Sequence, residues 1–441
     1  MVAGPLARAR ELPAGRTAVR CDGRTLGYGE LIGSAERAAA AAAGQAPGPL
    51  LVPGDDPLAL LTAFFGALLA GRPALVPHAD WAAPERERAL AAAAALPQAE
   101  DRALIGFTSG TSGTPKPFAR SWESWASSFG PAAALCRIDD GTAVVVPGPL
   151  QHSHFLFGAV LAIERGAPLT LTGKFDRDVV AAALTGAGRA VCYMVPTMLV
   201  ALAGAAPMAG VAAIVMSGQK LEPRHRALAR ELFPAARVVE IFGASELSFV
   251  SVTSCDPGEE DPDPDAVGRP FPGVEVEVRA LEGQAPLAAG EVGEIWVRSP
   301  YLAEGAALAD GFATCGDLGC LRPGGVIELR GRRSNVLISG GKNIHPEEVE
   351  AVAGEHEAVL GCVVTAVADD YWGERLVGLV EAVPGSDPER LSTELDTRVR
   401  ARLAAYKAPK QWRLVGRLPR TESGKLARAR ARELAAREAT R

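Results

Sequence analysis

The chain has 441 residues, more than a single hydrophobic core usually supports, so two or three domains are expected. A hydrophobic fraction of 48% and a charged fraction of 22% indicate a folded globular protein and exclude global disorder. A formal net charge of −6 provides no basic surface, so neither nucleic acid nor an anionic membrane is expected as a partner.

Up to about residue 248, the chain alternates between predicted helices and strands. Helices are predicted at 34–46 and 56–70, and short buried strands at 72–77 and 103–107. Further strands are predicted at 143–146, 169–171, 190–194, 212–216 and 238–242, with helices between them at 154–164, 178–187, 198–203 and 223–232. This alternation predicts an α/β domain with a largely parallel sheet.

The character of the sequence changes after residue 248. Strands without helices are predicted at 274–279, 293–298 and 326–329, and the acidic run at 256–265 is predicted to be a solvated loop. Later elements are helices at 346–354, 388–403 and 426–438 and strands at 359–367 and 376–382. We therefore predict a large multi-layered N-terminal domain of mixed sheets and helices (1–331), a hinge (332–335) and a small, mobile α+β C-terminal domain (336–441).

A segment rich in glycine and hydroxyl side chains follows the predicted strand at 103–107. It reads TSGTSGTPK over residues 108–116. Backbone N–H groups and hydroxyls in such a turn can surround phosphate oxygens, and Lys116 adds a positive charge. Its glycines are too closely spaced for the Walker A pattern, and the lysine follows Pro115. The segment is predicted to be a phosphate-binding loop, with a plain surface loop as the alternative.

Four later segments complete a set of motifs. They read IFGASE at 241–246, TCGDL at 314–318, GRRSNVLISGGKNIHPEEVE at 331–350 and PRTESGK at 419–425. Together with residues 108–116, these segments resemble, in order, the motifs of the acyl-adenylating superfamily of acyl-CoA synthetases, nonribosomal peptide synthetase adenylation domains and luciferases. In motif detail the chain is most similar to aryl-CoA ligases of the 4-chlorobenzoate type.

The resemblance implies an enzyme that uses ATP, Mg²⁺ and coenzyme A. Lys116 and the loop residues would bind the β- and γ-phosphates, and Glu246 and Thr108 would bind Mg²⁺. Lys425 would bridge the acid carboxylate and the α-phosphate. The loop residues are Thr108, Ser109, Gly110, Thr111, Ser112 and Gly113. Adenylation depends mainly on positioning and charge neutralisation, which is the chemistry that these side chains offer.

The resemblance also implies a nucleoside site. Phe242, in the place of the family's usual tyrosine, would stack on adenine beside Gly243, and Ser245 would contact the α-phosphate. Asp317 would accept hydrogen bonds from both ribose hydroxyls, because a carboxylate offers two oxygen atoms, and Arg332 would assist.

Further residues are implied for the acyl pocket and coenzyme A. Trp372 and Tyr406 would stack on the adenine of coenzyme A, and Gly340 and Gly341 would allow close approach of the pantetheine arm. His152 would line the acyl pocket and gate the passage to the thiol. A core-packing role for Trp372 and a structural role for His152 remain alternatives.

The expected function is that of an ATP-dependent acid–thiol ligase, which forms acyl-AMP and pyrophosphate and then transfers the acyl group to coenzyme A. The acid is expected to be aryl or medium-sized. An alternative acceptor is a carrier-protein pantetheine or an amine in specialised metabolism, and a second alternative is a non-catalytic, nucleotide-binding regulatory protein. The hinge departs from the family pattern, with Ser334 and Asn335 in place of charged residues.

Cysteine usage and the N-terminus bear on location. The seven cysteines are odd in number and sparse, with Cys315 and Cys320 as the only close pair, so neither a disulfide framework nor a CxxC zinc site is indicated. Residues 1–15 lack the apolar segment of a secretory signal. A cytoplasmic monomer or homodimer is expected.

Overall fold

The computed structural model describes residues 3–97, 99–108, 115–339, 342–369, 373–421 and 426–437. By its internal contacts the chain divides into two compact units. Unit 1 consists of Met1–Val276, Trp296–Cys315 and Gly325–Ile327, and unit 2 of Glu277–Ile295, Gly316–Gly324 and Glu328–Arg441. This division differs from the predicted boundary, because residues 277–295 and 316–324 group with the C-terminal part. The predicted domain limits stay a prediction.

The six predicted helices of unit 1 are present, with several shifts at their ends, and helices at Ala83–Ala94 and Trp122–Cys136 add to them. The described helices of unit 1 are α1 (Tyr28–Ala42), α2 (Pro57–Leu69), α3 (Ala83–Ala94), α4 (Trp122–Cys136), α5 (Ser153–Arg165), α6 (Arg177–Gly186), α7 (Pro196–Ala201) and α8 (Pro223–Leu232). The start of α2 is fixed by Asp56, whose Oδ1 accepts hydrogen bonds from the N–H groups of Leu58 and Ala59 at 2.9 and 3.4 Å. Helix α1 begins earlier than predicted, and Glu30 accepts a hydrogen bond from the Gly27 N–H there at 2.8 Å.

The strands up to residue 270 belong to unit 1. They are β1 (Thr17–Cys21), β2 (Arg24–Gly27), β3 (Leu50–Leu51), β4 (Ala74–Leu75), β5 (Arg102–Thr108), β6 (Lys116–Ser121), β7 (Ala143–Val146), β8 (Leu169–Leu171), β9 (Ala190–Met194), β10 (Val211–Met216), β11 (Arg237–Ala244), β12 (Ser248–Cys255) and β13 (Ala266–Pro270). The hairpin β1–β2 was not predicted from the sequence.

These strands form a large and a small sheet. In the large sheet the order is β13-β12-β11-β10-β9-β7-β8-β1-β2, and the run from β11 to β1 is parallel. The small sheet has the order β3-β4-β5-β6, with β6 antiparallel to β5. The predicted parallel α/β arrangement is confirmed. Ligands of such sheets bind beyond the carboxyl ends of the strands, which directs attention to the ends of β5 and β11.

Four strands follow in the chain between residues 275 and 332. They are β14 (Glu275–Arg279), β15 (Gly293–Arg298), β16 (Asp317–Arg322) and β17 (Val326–Arg332). In unit 2, β15 pairs antiparallel with β16, with Glu294 opposite Leu318. The predicted change after residue 248 to strands without helices is confirmed over this stretch.

The remaining part of unit 2 is the predicted α+β region. Its strands are β18 (Leu337–Ser339), β19 (Lys342–Ile344), β20 (Val359–Asp369), β21 (Gly373–Ala382) and β22 (Gln411–Val415), and its helices are α9 (Pro346–Gly354), α10 (Pro388–Arg402) and α11 (Arg428–Arg437). β20 and β21 are antiparallel, and β22 joins β21 in parallel. Helices α9 and α10 pack on this sheet through buried Val349, Val352, Leu391 and Leu395.

The core of unit 1 lies around α2 and α5. Phe64 and Phe65 of α2 are fully buried, as are Val160 and Leu161 of α5. Helix α2 is apolar on all sides because it is enclosed, as its sequence predicted. Among the described helices, none has both the length and the apolar composition that a membrane crossing requires.

Candidate active site

The β5–β6 hairpin carries both ends of the predicted phosphate-binding loop. Thr108, the last residue of β5, lies opposite Lys116, the first residue of β6. Lys116 is exposed to solvent. The predicted loop residues Ser109, Gly110, Thr111, Ser112 and Gly113 lie outside the described residues. The hairpin therefore holds Thr108 and Lys116 side by side at the end of β5.

Glu246 follows β11 in a tight turn and lies against the end of β5. Thr108 Oγ1 donates a hydrogen bond to Glu246 Oε1 at 3.1 Å. The turn requires glycine at position 243, because a Cβ atom there would lie 2.0 Å from the Ser248 carbonyl oxygen. The β11–β12 register also shifts between Phe242 and Gly243. The two predicted Mg²⁺ ligands are therefore in contact.

The oxygen atoms of Thr108 and Glu246 are suitable ligands for Mg²⁺. This ion is usually held by one or two carboxylates together with substrate phosphates, rather than by an all-protein cage. The Thr108 hydroxyl beside the Glu246 carboxylate therefore fits a Mg²⁺ ion that is shared with the phosphates of a nucleotide. Within the described part of the chain, no group of three or more His, Cys, Asp or Glu side chains could hold a metal ion.

The N-terminus of α5 lies next to the same turn. Ser245 Oγ and Ser153 Oγ are 3.0 Å apart, which is hydrogen-bond distance. Ser153 is the first residue of α5, and His152 is the N-cap residue. The first N–H groups of a helix lack intrahelical partners, and its positive dipole end favours an anion. Ser245, predicted to contact the α-phosphate, therefore lies where a negative group is stabilised.

Aromatic side chains connect α5 back to β5. The ring centroids of His152 and His78 are 4.7 Å apart, and the His78 ring stacks on Trp81 at 5.0 Å. Trp81 packs edge-on against Phe107 at 5.0 Å, immediately before Thr108. The contacts thus form a closed circuit from the end of β5 through the turn after β11, the start of α5 and the β4–α3 loop. His78, Trp81 and His152 remain partly exposed, so this cluster has an accessible side.

His78 and Trp81 are functional candidates that the sequence motifs did not identify. They lie in the segment VPHADW, residues 76–81, between β4 and α3. Burial lowers the pKa of the His78 imidazole, against smaller opposite effects of Asp80 and the Phe107 backbone, so its neutral form is favoured at neutral pH. A histidine and a tryptophan after a short buried strand are a weak sequence signal, because packing alone accounts for many such pairs.

In unit 2, Asp317 and Arg332 are paired. Asp317, the first residue of β16, is 7% exposed, and Arg332 Nε donates a hydrogen bond to its Oδ1 at 2.7 Å. Gly316 precedes it with φ +76°, in the left-handed region that favours glycine. The carbonyl oxygen of Gly316 accepts a hydrogen bond from the Arg333 N–H at 2.8 Å. The two residues predicted to bind the ribose therefore contact each other.

The predicted hinge contacts α9 within unit 2. Asn335 Nδ2 donates a hydrogen bond to Glu347 Oε1 at 2.7 Å. Gly331 has φ +130°, and a Cβ atom there would lie 2.5 Å from Glu347 Oε2. The Arg428 guanidinium lies 3.3 Å from Glu347 and donates two hydrogen bonds of 2.7 Å to Glu350. Asn335 thus connects the hinge to a charged cluster on α9 without carrying a charge itself.

The residues predicted to bind coenzyme A are only partly described. The Tyr406 side chain is exposed, at 39%, on a 3₁₀ turn, as a stacking surface must be. The neighbouring Lys407 forms an ion pair with Glu348 of α9. The other predicted residues of the second half-reaction, together with the C-terminal lysine, lie outside the described residues: Gly340, Gly341, Trp372 and Lys425.

The predicted site residues of unit 1 converge, and those of unit 2 form a separate set. The members in unit 1 that take part in the circuit or flank it are Thr108, Lys116, His152, Phe242, Gly243, Ser245 and Glu246. Asp317, Arg332 and Tyr406 belong to unit 2.

Comparison with known proteins gives matches for both parts of the chain. Residues 90–306 match the AMP-binding enzyme family, and residues 348–425 match the AMP-binding enzyme C-terminal domain. The uncharacterized acyl-CoA ligase YhfT of Bacillus subtilis (strain 168) is 35% identical over 334 residues, which are 75% of this chain and 68% of that protein. The 2-succinylbenzoate–CoA ligase of Geobacillus kaustophilus (strain HTA426) is 30% identical over 351 residues, 76% of this chain and 70% of that protein.

The fold also has solved counterparts. The crystal structure of ATP-bound MatB from Rhodopseudomonas palustris superposes with a TM-score of 0.86 at 22% identity, covering 98% of this chain and 99% of that one. The likeness confirms the predicted fold class, a large α/β N-terminal part with a small C-terminal part. Together with the matched segments and the identity to YhfT, it leads to one assignment. The chain belongs to the AMP-binding enzyme family.

Proposed function

We propose that the residues gathered at the ends of β5 and β11 catalyse the adenylation of a carboxylic acid. The enzyme is an AMP-forming acyl-CoA synthetase: it converts an acid and ATP to acyl-AMP and pyrophosphate, and coenzyme A then takes the acyl group. The observation that carries the proposal is the closed circuit of contacts in unit 1, where a hydroxyl, a carboxylate and a helix N-terminus converge. Membership of the AMP-binding enzyme family and relatives named acyl-CoA ligases support it.

In the first half-reaction, an oxygen of the acid carboxylate attacks the α-phosphorus of ATP, and the bond to pyrophosphate breaks. Lys116 and the loop hydroxyls bind the β- and γ-phosphates, and Glu246 with Thr108 holds Mg²⁺, which neutralises phosphate charge when bound. Ser245 and the N-terminus of α5 face the α-phosphate. The reaction needs orientation and charge compensation more than covalent participation by the protein.

The nucleoside is proposed to bind through two further groups. Phe242, half-buried at the end of β11, offers a ring face for adenine stacking. Asp317 accepts hydrogen bonds from the ribose hydroxyls, and its contact with Arg332 fixes the orientation of the carboxylate. Lys425 bridges the acid carboxylate and the α-phosphate in this proposal.

The acid is proposed to be aryl or medium-sized, as in aryl-CoA ligases of the 4-chlorobenzoate type. The support is the partly exposed aromatic cluster of His78, Trp81 and His152, which offers ring faces beside the start of α5. Aromatic side chains pack favourably against another ring at centroid distances of about 4.5–7 Å. In this proposal, His152 forms the part of the pocket through which the thiol reaches the acyl-adenylate.

The second half-reaction is proposed to use coenzyme A held by Trp372 and Tyr406, with Gly340 and Gly341 beside the pantetheine arm. The exposure of Tyr406 supports this role. The thiolate attacks the acyl carbonyl and AMP leaves. A carrier-protein thiol or an amine would accept the same acyl-AMP, so the acceptor is the first question for experiment.

The test is acid-dependent exchange of labelled pyrophosphate into ATP over a panel of benzoates, succinylbenzoate and fatty acids of increasing length. An end-point assay of thioester formation is run on the active acids with and without coenzyme A. Exchange with a coenzyme A-dependent thioester is expected. Exchange without a thioester would overturn the choice of acceptor but keep adenylation. No exchange with any acid would contradict the proposed adenylation.

A further inference from the structure

A buried arginine links the phosphate-loop hairpin to the turn that carries Glu246. Arg120 lies on β6, the strand that begins with Lys116, and it is 1% exposed. Its guanidinium donates hydrogen bonds to the carbonyl oxygens of Tyr301 at 2.5 Å and Ser245 at 2.6 Å. Arg120 lies outside all of the sequence motifs.

Other bonds connect the same three segments of unit 1. The Ala303 N–H donates a hydrogen bond to the Glu246 carbonyl oxygen, and the Glu304 N–H donates one to Ala119 of β6, both at 2.8 Å. Arg102 of β5 forms an ion pair with Glu304 at 2.6 Å. The β5–β6 hairpin, the turn after β11 and the segment at 301–304 are therefore joined, with Arg120 as the buried cation among them.

The charge of Arg120 is retained despite its burial. Burial lowers the pKa of the guanidinium to about 10, and the charge of Glu246 opposes this lowering, so Arg120 is ionised at neutral pH. Removing a charge from water is costly, and a neutral side chain at this position would avoid that cost. Stability alone therefore does not account for an arginine at this position.

We propose that Arg120 is a positioning residue for adenylation, which holds the main chain of Ser245 and Glu246 in register with Thr108 and Lys116. This inference rests on the proposed function. The planar guanidinium can donate to two carbonyl oxygens at once, whereas an ammonium group lacks this fixed fork. Without the bond to Ser245, the chain segment bearing the α-phosphate contact and the Mg²⁺ ligand is free to shift.

The test compares Arg120→Met and Arg120→Lys with a matched control, Arg72→Met. Arg72 also lies in unit 1 and donates hydrogen bonds to the carbonyl oxygens of Ala42, Ala46 and Gly48. Three quantities are measured: pyrophosphate exchange as a function of Mg²⁺ concentration, MgATP binding by calorimetry, and thioester formation from supplied acyl-AMP. The melting temperature of each variant is recorded alongside.

For Arg120→Met, exchange should fall by about 10- to 100-fold, because small misplacements at a reacting centre have effects of this size. The Mg²⁺ concentration for half-maximal exchange should rise and MgATP should bind more weakly. Thioester formation from supplied acyl-AMP should fall much less than exchange does, because acyl-AMP keeps the α-phosphate that Ser245 contacts but lacks the β- and γ-phosphates with their Mg²⁺. Arg120→Lys should be intermediate, and Arg72→Met should match the wild type in all three measurements.

Wild-type exchange and MgATP binding in Arg120→Met would overturn the positioning role. Equal losses in both half-reactions would also overturn it, since they indicate a general structural effect. If Arg120→Met does not fold, Arg120→Lys decides, and an unchanged Mg²⁺ dependence in that variant counts against the proposal. Absence of exchange in the wild type would instead overturn the proposed function on which the inference rests.

Discussion

Replacing Glu164 with glutamine is expected to stabilise the protein at pH 8 and to have little effect near pH 5. Glu164 lies in the last turn of α5, and its Oε1 accepts a hydrogen bond from the Leu6 N–H at 2.8 Å. Burial raises the pKa of its carboxyl group from 4.5 to about 7, although the Leu6 hydrogen bond acts in the opposite direction. The negative end of the helix dipole adds to the cost of ionising it.

The direction in which stability changes with pH follows from the number of protons that the folded and unfolded chains bind. Between pH 4.5 and about 7, the folded chain holds the Glu164 proton and the unfolded chain does not, so the free energy of unfolding falls as the pH rises through this window. At about 1.4 kcal/mol per pKa unit, the complete loss is at most about 3.5 kcal/mol. Glutamine is neutral throughout and retains a carbonyl oxygen as acceptor for the Leu6 N–H.

The assay is thermal unfolding at pH 5, 6, 7 and 8 and constant ionic strength. The difference in melting temperature between Glu164→Gln and the wild type should grow with pH and level off above about pH 7. Glu87→Gln, at an exposed position on α3, is the matched control and should show no such trend. A pH-independent difference, or a Glu164→Gln variant that melts below the wild type at pH 8, would refute the reasoning.

Three variants test the residue assignments. Lys425→Ala should abolish acyl-AMP formation yet spare thioester formation from supplied acyl-AMP, because its ammonium group is assigned only to the first step; equal loss of both rates would contradict this. Trp372→Ala should raise the KM for coenzyme A and leave the KM for ATP unchanged, and an unaltered KM for coenzyme A would remove this residue from the site. Asp317→Asn should raise the KM for ATP by about 10- to 100-fold, the range for a hydrogen bond to a charged group. That effect should shrink when 2′-deoxy-ATP replaces ATP in the exchange assay, and an equal effect on both nucleotides would argue against ribose binding.

Much of the fold could be predicted because its elements carry local signals. The bounds of β7, β9 and α8 agree with the sequence prediction, since short apolar runs and Pro223 at the start of α8 mark them. The hairpin β1–β2 was missed although its turn carries a local signal, because Asp22 and Gly23, with φ +48° and +76°, form the Asp-Gly pair that favours a two-residue hairpin. The pairing of β1 with β8, where Val19 lies opposite Leu169, joins strands far apart in the chain and leaves no local pattern.

In the candidate site, too, some residues could be predicted from local sequence signals and others could not. Thr108 and Glu246 are recognisable from their motifs, but their contact joins residues far apart in the chain and depends on the small sheet lying against the turn after β11. Arg120 and His78 carry no motif. Arg120 lies in a strand of mixed composition, where a charged residue usually marks the solvent face, and its burial is set only by tertiary packing.

The distribution of the contacts allows mutations to separate two causes of impaired adenylation, the loss of a ligand contact and the displacement of the site. The bonds that fix Thr108, Ser245 and Glu246 are made by residues of unit 1: the Thr108–Glu246 hydrogen bond, the Ser245–Ser153 contact and the donation from Arg120. A change in unit 2 such as Lys425→Ala removes none of these bonds. Its effect on adenylation would therefore report the loss of a ligand contact, whereas an Arg120 variant would report a displaced site whose ligating groups are all present.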